Sequence, residues 1–297
     1  MMINRVMMEA PAKINLYLEV GGRRQDGYHF VRTLMQAVEL MDLVEVELSP
    51  APGGVELEVE GDAPSGEENL CHRAAGAFME AVGRDVGVRI RLVKCIPVTA
   101  GLGGGSADAA AVLRALNYLM EEALNGKDMF RLAASVGSDV PFFLLGGTVR
   151  GEGRGERVTP LAQAPPLPVI LANTGDRLST SEVYSRFDRS GGGKPPPGAL
   201  ETLVDALPVG DIGSISRLLF NSLQRTACEM TPSVGELLAK AEEAAGEGFL
   251  LSGSGPTVFI LASGEAEAEV LEKTMRRAAP VVIRTRFRNS GVRITPA

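Results

Sequence analysis

Four glycines in five positions, Gly101, Gly103, Gly104 and Gly105, stand directly ahead of Ser106 and an alanine-rich stretch. Each one removes a Cβ that would hold a ligand off the backbone, at a conformational cost that an ordinary strand-to-helix turn, with one or two glycines, does not incur. The helix that follows presents free N–H groups with a partial charge of about +0.5 at its first turn, and Ser106 is placed to cap it. Backbone amides, a helix N-terminus and a hydroxyl together make a seat for phosphate. The rival reading is a glycine-rich turn that feeds a helix and does nothing more.

The familiar signatures of such loops do not fit. A Walker loop needs a lysine after its glycines, and none follows here; Ser106 and Asp108 stand where the dinucleotide fingerprint needs its third glycine. Asp108 also takes the place of the last glycine of a nucleophile elbow, so Ser106 does not read as a hydrolase nucleophile. Two other side chains could act on a phosphorylated ligand. Lys13 and Asn15 share one face of the alternating segment Lys13–Val20, whose other face carries Ile14, Leu16, Leu18 and Val20. Asp139 follows Gly137-Ser138 and precedes Val140, which Pro141 restricts. A solvated strand face for Lys13 and a turn cap for Asp139 are the plain alternatives.

The elements that must position these residues follow from periodicity and punctuation. Asp26-Gly27 signals a hairpin into the extended Tyr28–Val31. Leu43–Leu48 and Val55–Val59 alternate on either side of Pro50–Gly54 and read as a β-meander. Glu68-Asn69 opens a helix with Leu70, Ala74, Ala77, Phe78 and Ala81 on one stripe, Asn69 serving as its cap. Val88, Ile90 and Leu92 form the strand that enters the glycine loop, and the helix after it runs from Ala109 to a stop at Asn125-Gly126. A helix over Met129–Val136, a proline-stiffened linker over Pro160–Pro168 and a strand over Val169–Ala172 come next. Ser190–Gly198 cannot bury itself and reads as a mobile loop; helices over Ile215–Thr226 and Ser233–Ala245 precede a glycine turn, Ser252–Pro256.

Composition bounds the class. A chain of 297 residues with 45% hydrophobic residues can bury a full core, and a net charge of −7 argues against a general nucleic-acid binder. Three scattered cysteines, Cys71, Cys95 and Cys228, suit a reducing cytoplasm better than a disulfide framework, and two histidines give no zinc-ligand spacing. No apolar run of 18 residues exists for a membrane span, and Arg5, Glu9 and Lys13 interrupt any signal-peptide core. The expectation is a cytoplasmic globular protein without nucleic-acid or membrane partners, a monomer or weak homodimer.

The segment Pro97–Ala111, P-V-T-A-G-L-G-G-G-S-A-D-A-A-A, resembles the phosphate loop of the small-molecule kinase superfamily that contains galactokinase, homoserine kinase, mevalonate kinase and phosphomevalonate kinase. P-A-K-I-N-L-Y-L-E-V from Pro11, D-G-Y-H from Asp26, G-S-D-V-P-F-F-L from Gly137 and S-G-S-G-P from Ser252 follow the superfamily's order, and the pattern is nearest to the branch whose acceptor is a cytidyl diphosphate ester of methylerythritol. The resemblance implies an α+β fold of two domains: a mixed-sheet ATP-binding domain over 1–160 and an antiparallel-sheet-plus-helices substrate domain over 161–297. It implies ATP with Mg²⁺, Lys13 and Asp139 as catalytic residues, and Ser106 as a metal ligand. ATP would be held by Asn69, Leu70, Lys94, Pro97, Gly101, Leu102, Gly103, Gly104, Gly105 and Ser106. The acceptor would meet Asn15 and Thr180, its cytosine lying by His29 between Tyr28 and Tyr184. A half-buried tyrosine with an exposed histidine remains an equal reading of D-G-Y-H, as does a bare helix cap for Asn69. The alternatives in function are a homoserine or mevalonate kinase of the same superfamily, and a non-catalytic sugar or nucleotide sensor.

Overall fold

The computed structural model describes residues 4–49, 51 and 53–295. Two long strands, β1 (Arg5–Arg23) and β2 (His29–Ser49), pair antiparallel along nearly their whole length and form the spine of the first sheet. Register shifts at Pro11/Ala12 and Asn15/Tyr17 bend the pair where Lys13 and Asn15 lie. β3 (Val55–Glu60), α1 (Leu70–Val82) and β4 (Gly87–Val93) make a crossover unit whose two strands are parallel, and β4 enters the sheet between β2 and β3. The expected meander is therefore corrected: β2 and β3 are not neighbours. Alternation reports which face of a strand is buried and carries nothing about which strand lies beside it. Pro50 and Pro52 of the intervening turn lie outside the described residues.

α2 (Gly104–Leu119), α3 (Gly126–Val136) and α4 (Val140–Leu145) pack over this sheet, followed by the hairpin β5 (Thr148–Glu152) and β6 (Arg157–Pro160). Val112, Leu113 and Leu116 of α2 join Phe78, Ile90 and Phe142 in the core, with Ala107, Ala110 and Ala111 letting the backbones approach closely. Residues 161–167 carry no regular element, after which β7 (Pro168–Asn173) begins a second sheet. α5 (Thr180–Ser190), α6 (Ala199–Ala206), α7 (Ile212–Ser216), β8 (Phe220–Asn221), α8 (Gln224–Met230) and α9 (Pro232–Ala245) lead to β9 (Phe249–Leu251) and β10 (Thr257–Leu261). α10 (Glu265–Met275), β11 (Val281–Arg286) and β12 (Arg293–Ile294) complete the chain. The second sheet has the order β11-β7-β10-β9, with every pair antiparallel. A mixed sheet in the first half and an antiparallel sheet with helices in the second give the α+β architecture expected.

The single helix expected over Ile215–Thr226 is instead two short ones split by β8. Asn221 makes the break: its Oδ1 accepts from Leu223 N (2.9 Å), while Nδ2 donates to Leu251 O (2.7 Å) and Gly253 O (2.8 Å). β8 pairs parallel with β1, and β12 pairs antiparallel with it, so the later half of the chain returns twice to the first sheet.

Candidate active site

Between the two sheets lies a cavity of about 1020 Å³. Lys13, Asn15, Tyr28, His29, Asn69, Leu70, Lys94, Pro97, Gly101, Gly103, Gly104, Gly105, Ser106, Asp139, Thr180 and Tyr184 all line it. Of the residues singled out in the sequence, Leu102 alone does not. Its side chain is buried in the core, and only its carbonyl serves the site, accepting from Lys13 N (2.9 Å).

The glycine loop differs from expectation at its helix start. α2 begins at Gly104, capped by Gly103 in the left-handed region (φ +72°) with no side-chain cap, so Ser106 lies inside the first turn. Ala107 N is the first amide to find an intrahelical partner, Gly103 O at 3.0 Å, and the N–H groups of Gly104, Gly105 and Ser106 have no partner among the described residues. Ser106 Oγ has no hydrogen-bond partner among the described residues. The glycines also have different reasons to be glycine. A Cβ on Gly101 (φ +75°) would fall on the Ser252 carbonyl oxygen, and one on Gly103 would meet Phe143 Cζ at 2.8 Å. One on Gly104 would press on Ile96 and on Lys94 Nζ, both at 3.1 Å, whereas Gly105 has only Leu70 Cδ1 at 3.7 Å. Gly101 and Gly103 are held to glycine by positive φ and close contacts, a side chain at Gly104 would ask Ile96 and Lys94 to give slightly, and Gly105 is the one whose missing side chain leaves the cavity open.

Beneath the loop is a cluster that sequence reasoning missed. The Lys94 ammonium, with its side chain 6% exposed, is held by Asp42 Oδ2 and by Asp108 Oδ2 (2.8 Å). Asp42 Oδ1 also accepts from Cys95 N (2.5 Å) and Ile96 N (2.8 Å), fixing the exit from β4 into the loop. Burial works against the charge on Lys94, but Asp108 and Asp42 outweigh it and raise the pKa. Burial pushes Asp108 well above the usual carboxylate range, with Lys94 opposing it and the Asp42 charge adding to it; Asp108 Oδ1 is buried without a partner among the described residues. The available signal was a single acid inside the buried alanine stripe 107–111. Asn69 is similarly engaged: Oδ1 caps α1 by accepting from Cys71 N (2.9 Å), and Nδ2 donates to Pro64 O (2.6 Å).

At mid-cavity Lys13 Nζ donates to Asn15 Oδ1 (2.5 Å) and sits 3.5 Å from Asp139 Oδ2. Asn15 Nδ2 is fixed in turn by Thr33 Oγ1 (2.9 Å). Asp139 precedes α4 but makes no side-chain cap; its carboxylate turns to Lys13. The Lys13 side chain is 6% exposed and that of Asp139 32%, a buried cation beside a reachable base.

The far end is built of side chains. Tyr28, 54% exposed, lies under the Arg154 guanidinium (4.8 Å to the ring centre). Tyr184 packs against His29, with ring centres 5.1 Å apart, and burial, aided by the Asp139 charge, pushes its hydroxyl upward in pKa. Thr180 Oγ1 is 2.9 Å from Ser254 Oγ, and Ser252 Oγ donates to Gly101 O (2.9 Å), so the second glycine turn clasps the first.

Comparison with known proteins places the chain in a family. Residues 69–147 match the GHMP kinases N terminal domain and residues 203–281 the GHMP kinases C terminal. A 4-diphosphocytidyl-2-C-methyl-D-erythritol kinase from Pelotomaculum thermopropionicum is 44% identical over 94% of this chain and 97% of its own length. The chain belongs to this family of GHMP kinases. A crystal structure of 4-(cytidine 5'-diphospho)-2C-methyl-D-erythritol kinase superposes with a TM-score of 0.78 at 38% identity, covering 95% of this chain and 98% of that one. Homoserine kinase from Cytophaga hutchinsonii superposes as closely, at TM-score 0.79 over 99% of this chain and 98% of its own, but at 21% identity that likeness shows the shared GHMP fold alone. Among the described residues no helix is long and apolar enough to cross a membrane.

Proposed function

We infer that this chain is an ATP-dependent kinase that phosphorylates the 2-hydroxyl of 4-diphosphocytidyl-2-C-methyl-D-erythritol, a step of the non-mevalonate route to isoprenoid precursors. Family membership at 44% identity supports the activity. The observation that carries the chemistry is the Lys13–Asp139 pair, standing between a phosphate-ready helix start and an aromatic, histidine-bearing pocket.

Phosphoryl transfer asks a protein chiefly for alignment and charge stabilisation. The free amides of Gly104, Gly105 and Ser106 would take the phosphates of ATP, with Leu70 and Pro97 beside the nucleoside. Asp139 would accept the proton of the acceptor hydroxyl as its oxygen attacks, and Lys13, held by Asn15, would stabilise charge on that oxygen and on the phosphoryl group in transit. The described residues contain no group of three or more His, Cys, Asp or Glu able to hold a metal. Mg²⁺ asks for no such group, since it binds through one or two protein oxygens and the phosphates of its nucleotide. Ser106 Oγ, which has no hydrogen-bond partner among the described residues, is the oxygen that would hold it, and bound there it would neutralise phosphate charge.

Initial rates of phosphoryl transfer from ATP across 4-diphosphocytidyl-2-C-methyl-D-erythritol, homoserine and mevalonate test the assignment. Turnover confined to the cytidyl acceptor is expected. Preference for homoserine or mevalonate would replace it with a sister activity, and ATP binding without turnover on any acceptor would leave a sensor.

A further inference from the structure

Thr180, Tyr184 and Asp188 follow one another at four-residue spacing on α5, which places them on one face, and all three line the cavity. The acid at the end of this stripe reaches across to the first half of the chain: Asp188 Oδ1 lies 2.6 Å from His29 Nε2. His29 is buried at the start of β2, its ring held edge-on to Phe187 (6.4 Å between centres) and tilted against Tyr184. A carboxylate can only accept, so this contact requires the proton on Nε2. In the neutral ring Nδ1 is then a bare lone pair, and it has no protein partner among the described residues.

We propose that Asp188 is a specificity-determining positioning residue, which fixes His29 as the Nε2–H tautomer so that Nδ1 accepts a hydrogen bond from a 4-aminopyrimidine and repels a 4-oxopyrimidine. This rests on the reading of the acceptor as a cytidyl diphosphate ester. Cytosine and uracil differ at position 4 in hydrogen-bonding sense, amino donor against carbonyl acceptor, so stacking between aromatic rings cannot separate them. The nearby Arg154 brings donors only and cannot recognise an amino group. A histidine with a free choice of tautomer would present a donor part of the time and admit the oxo base. The carboxylate removes that choice, and the sense of the one ligand bond left to the ring is thereby set by a residue that touches neither the reacting hydroxyl nor the transferred phosphate.

The test compares kcat/KM on the cytidyl acceptor and its uridyl counterpart for the wild type, Asp188→Ala and Asp188→Glu, with ¹⁵N shifts of the His29 ring in each. The chain has two histidines, so assignment is direct. Asp188→Ala should lose roughly tenfold or more of the cytidyl preference, the worth of one hydrogen bond, while Asp188→Glu regains part of it. The shifts should show Nε2 protonated and Nδ1 bare in the wild type, and a mixture in Asp188→Ala. An Asp188→Ala enzyme whose efficiency falls equally on both acceptors, or a wild-type ring protonated at Nδ1, overturns the proposal. A wild type that turns over neither pyrimidine acceptor overturns the reading of the acceptor and this role with it, while the nitrogen shifts still report whether Asp188 sets the ring.

Discussion

At the phosphate-ready end of the cavity the working surface is backbone: three free amides of α2, braced from below by the Asp42–Lys94–Asp108 cluster. At the other end it is side chain, with Tyr28, His29 and Tyr184 oriented by Arg154, Asp188 and one another. Backbone surfaces recognise what every nucleoside triphosphate shares, and they tolerate no bulk at the glycines that form them. Side-chain surfaces can change one residue at a time, and in the proposed function they are the part that selects the acceptor. Homoserine kinase shares the overall fold at 21% identity, so the fold itself does not choose the acceptor.

The largest effect is expected where the two ends meet. Asp139→Asn keeps the size of the side chain but removes the base, and turnover should fall by ~10²–10⁴ while ATP affinity stays near normal. Steady-state kinetics alongside calorimetry separate the two quantities, and an active Asp139→Asn enzyme removes the base from the mechanism.

Next comes the brace under the loop. Asp42→Ala strips one carboxylate from a buried ammonium and orphans the amides of Cys95 and Ile96. It should cost about 3–5 kcal/mol of stability in denaturant unfolding, far more than an exposed ion pair. A loss below 1 kcal/mol would mean that the loop holds its shape without the cluster.

A smaller and pH-dependent effect belongs to Asp108. Its folded pKa is raised by burial above its unfolded value, so the folded state keeps the proton longer than the unfolded chain. The stability this contributes is complete below the unfolded carboxylate pKa, about 3.9, and is lost as pH rises through the folded value. Asp108→Asn cannot titrate and should flatten that decline in a pH series of unfolding midpoints. An unchanged slope would assign the decline to other groups.

Legibility in the sequence follows the same division. The glycine loop could be read because four glycines are costly together and the amphipathic helix after them is long. Lys13, Asn15 and Asp139 came from ordered motifs, and the structure brings all three together, Lys13 donating to Asn15 and ion-paired with Asp139. Asp42 could not be found, because its partners lie more than fifty residues away in sequence and its neighbours read as plain strand. Asp188 was within reach as the next position on the Thr180–Tyr184 stripe, but only the meeting with His29 gives it a purpose. The order of β2, β4 and β3 was hidden for the physical reason that burial fixes faces and leaves neighbours open. The cap expected at Ser106 lies three residues earlier because Gly103, with no side chain, can cap a helix by adopting positive φ.

The sharpest measurement is a calorimetric cross-titration of Gly105→Val and Tyr28→Ala, each titrated separately with ATP·Mg²⁺ and with 4-diphosphocytidyl-2-C-methyl-D-erythritol. Gly105 is the substitution of choice because its side would project into open cavity, with the packed core untouched. Gly105→Val should lose ATP and keep the acceptor, whereas Tyr28→Ala should keep ATP and weaken the acceptor by about 1–3 kcal/mol, the value of one stacked base. Unchanged ATP affinity in a folded Gly105→Val protein, or loss of both ligands in either variant, would contradict a cavity whose backbone end takes the nucleotide and whose side-chain end takes the acceptor.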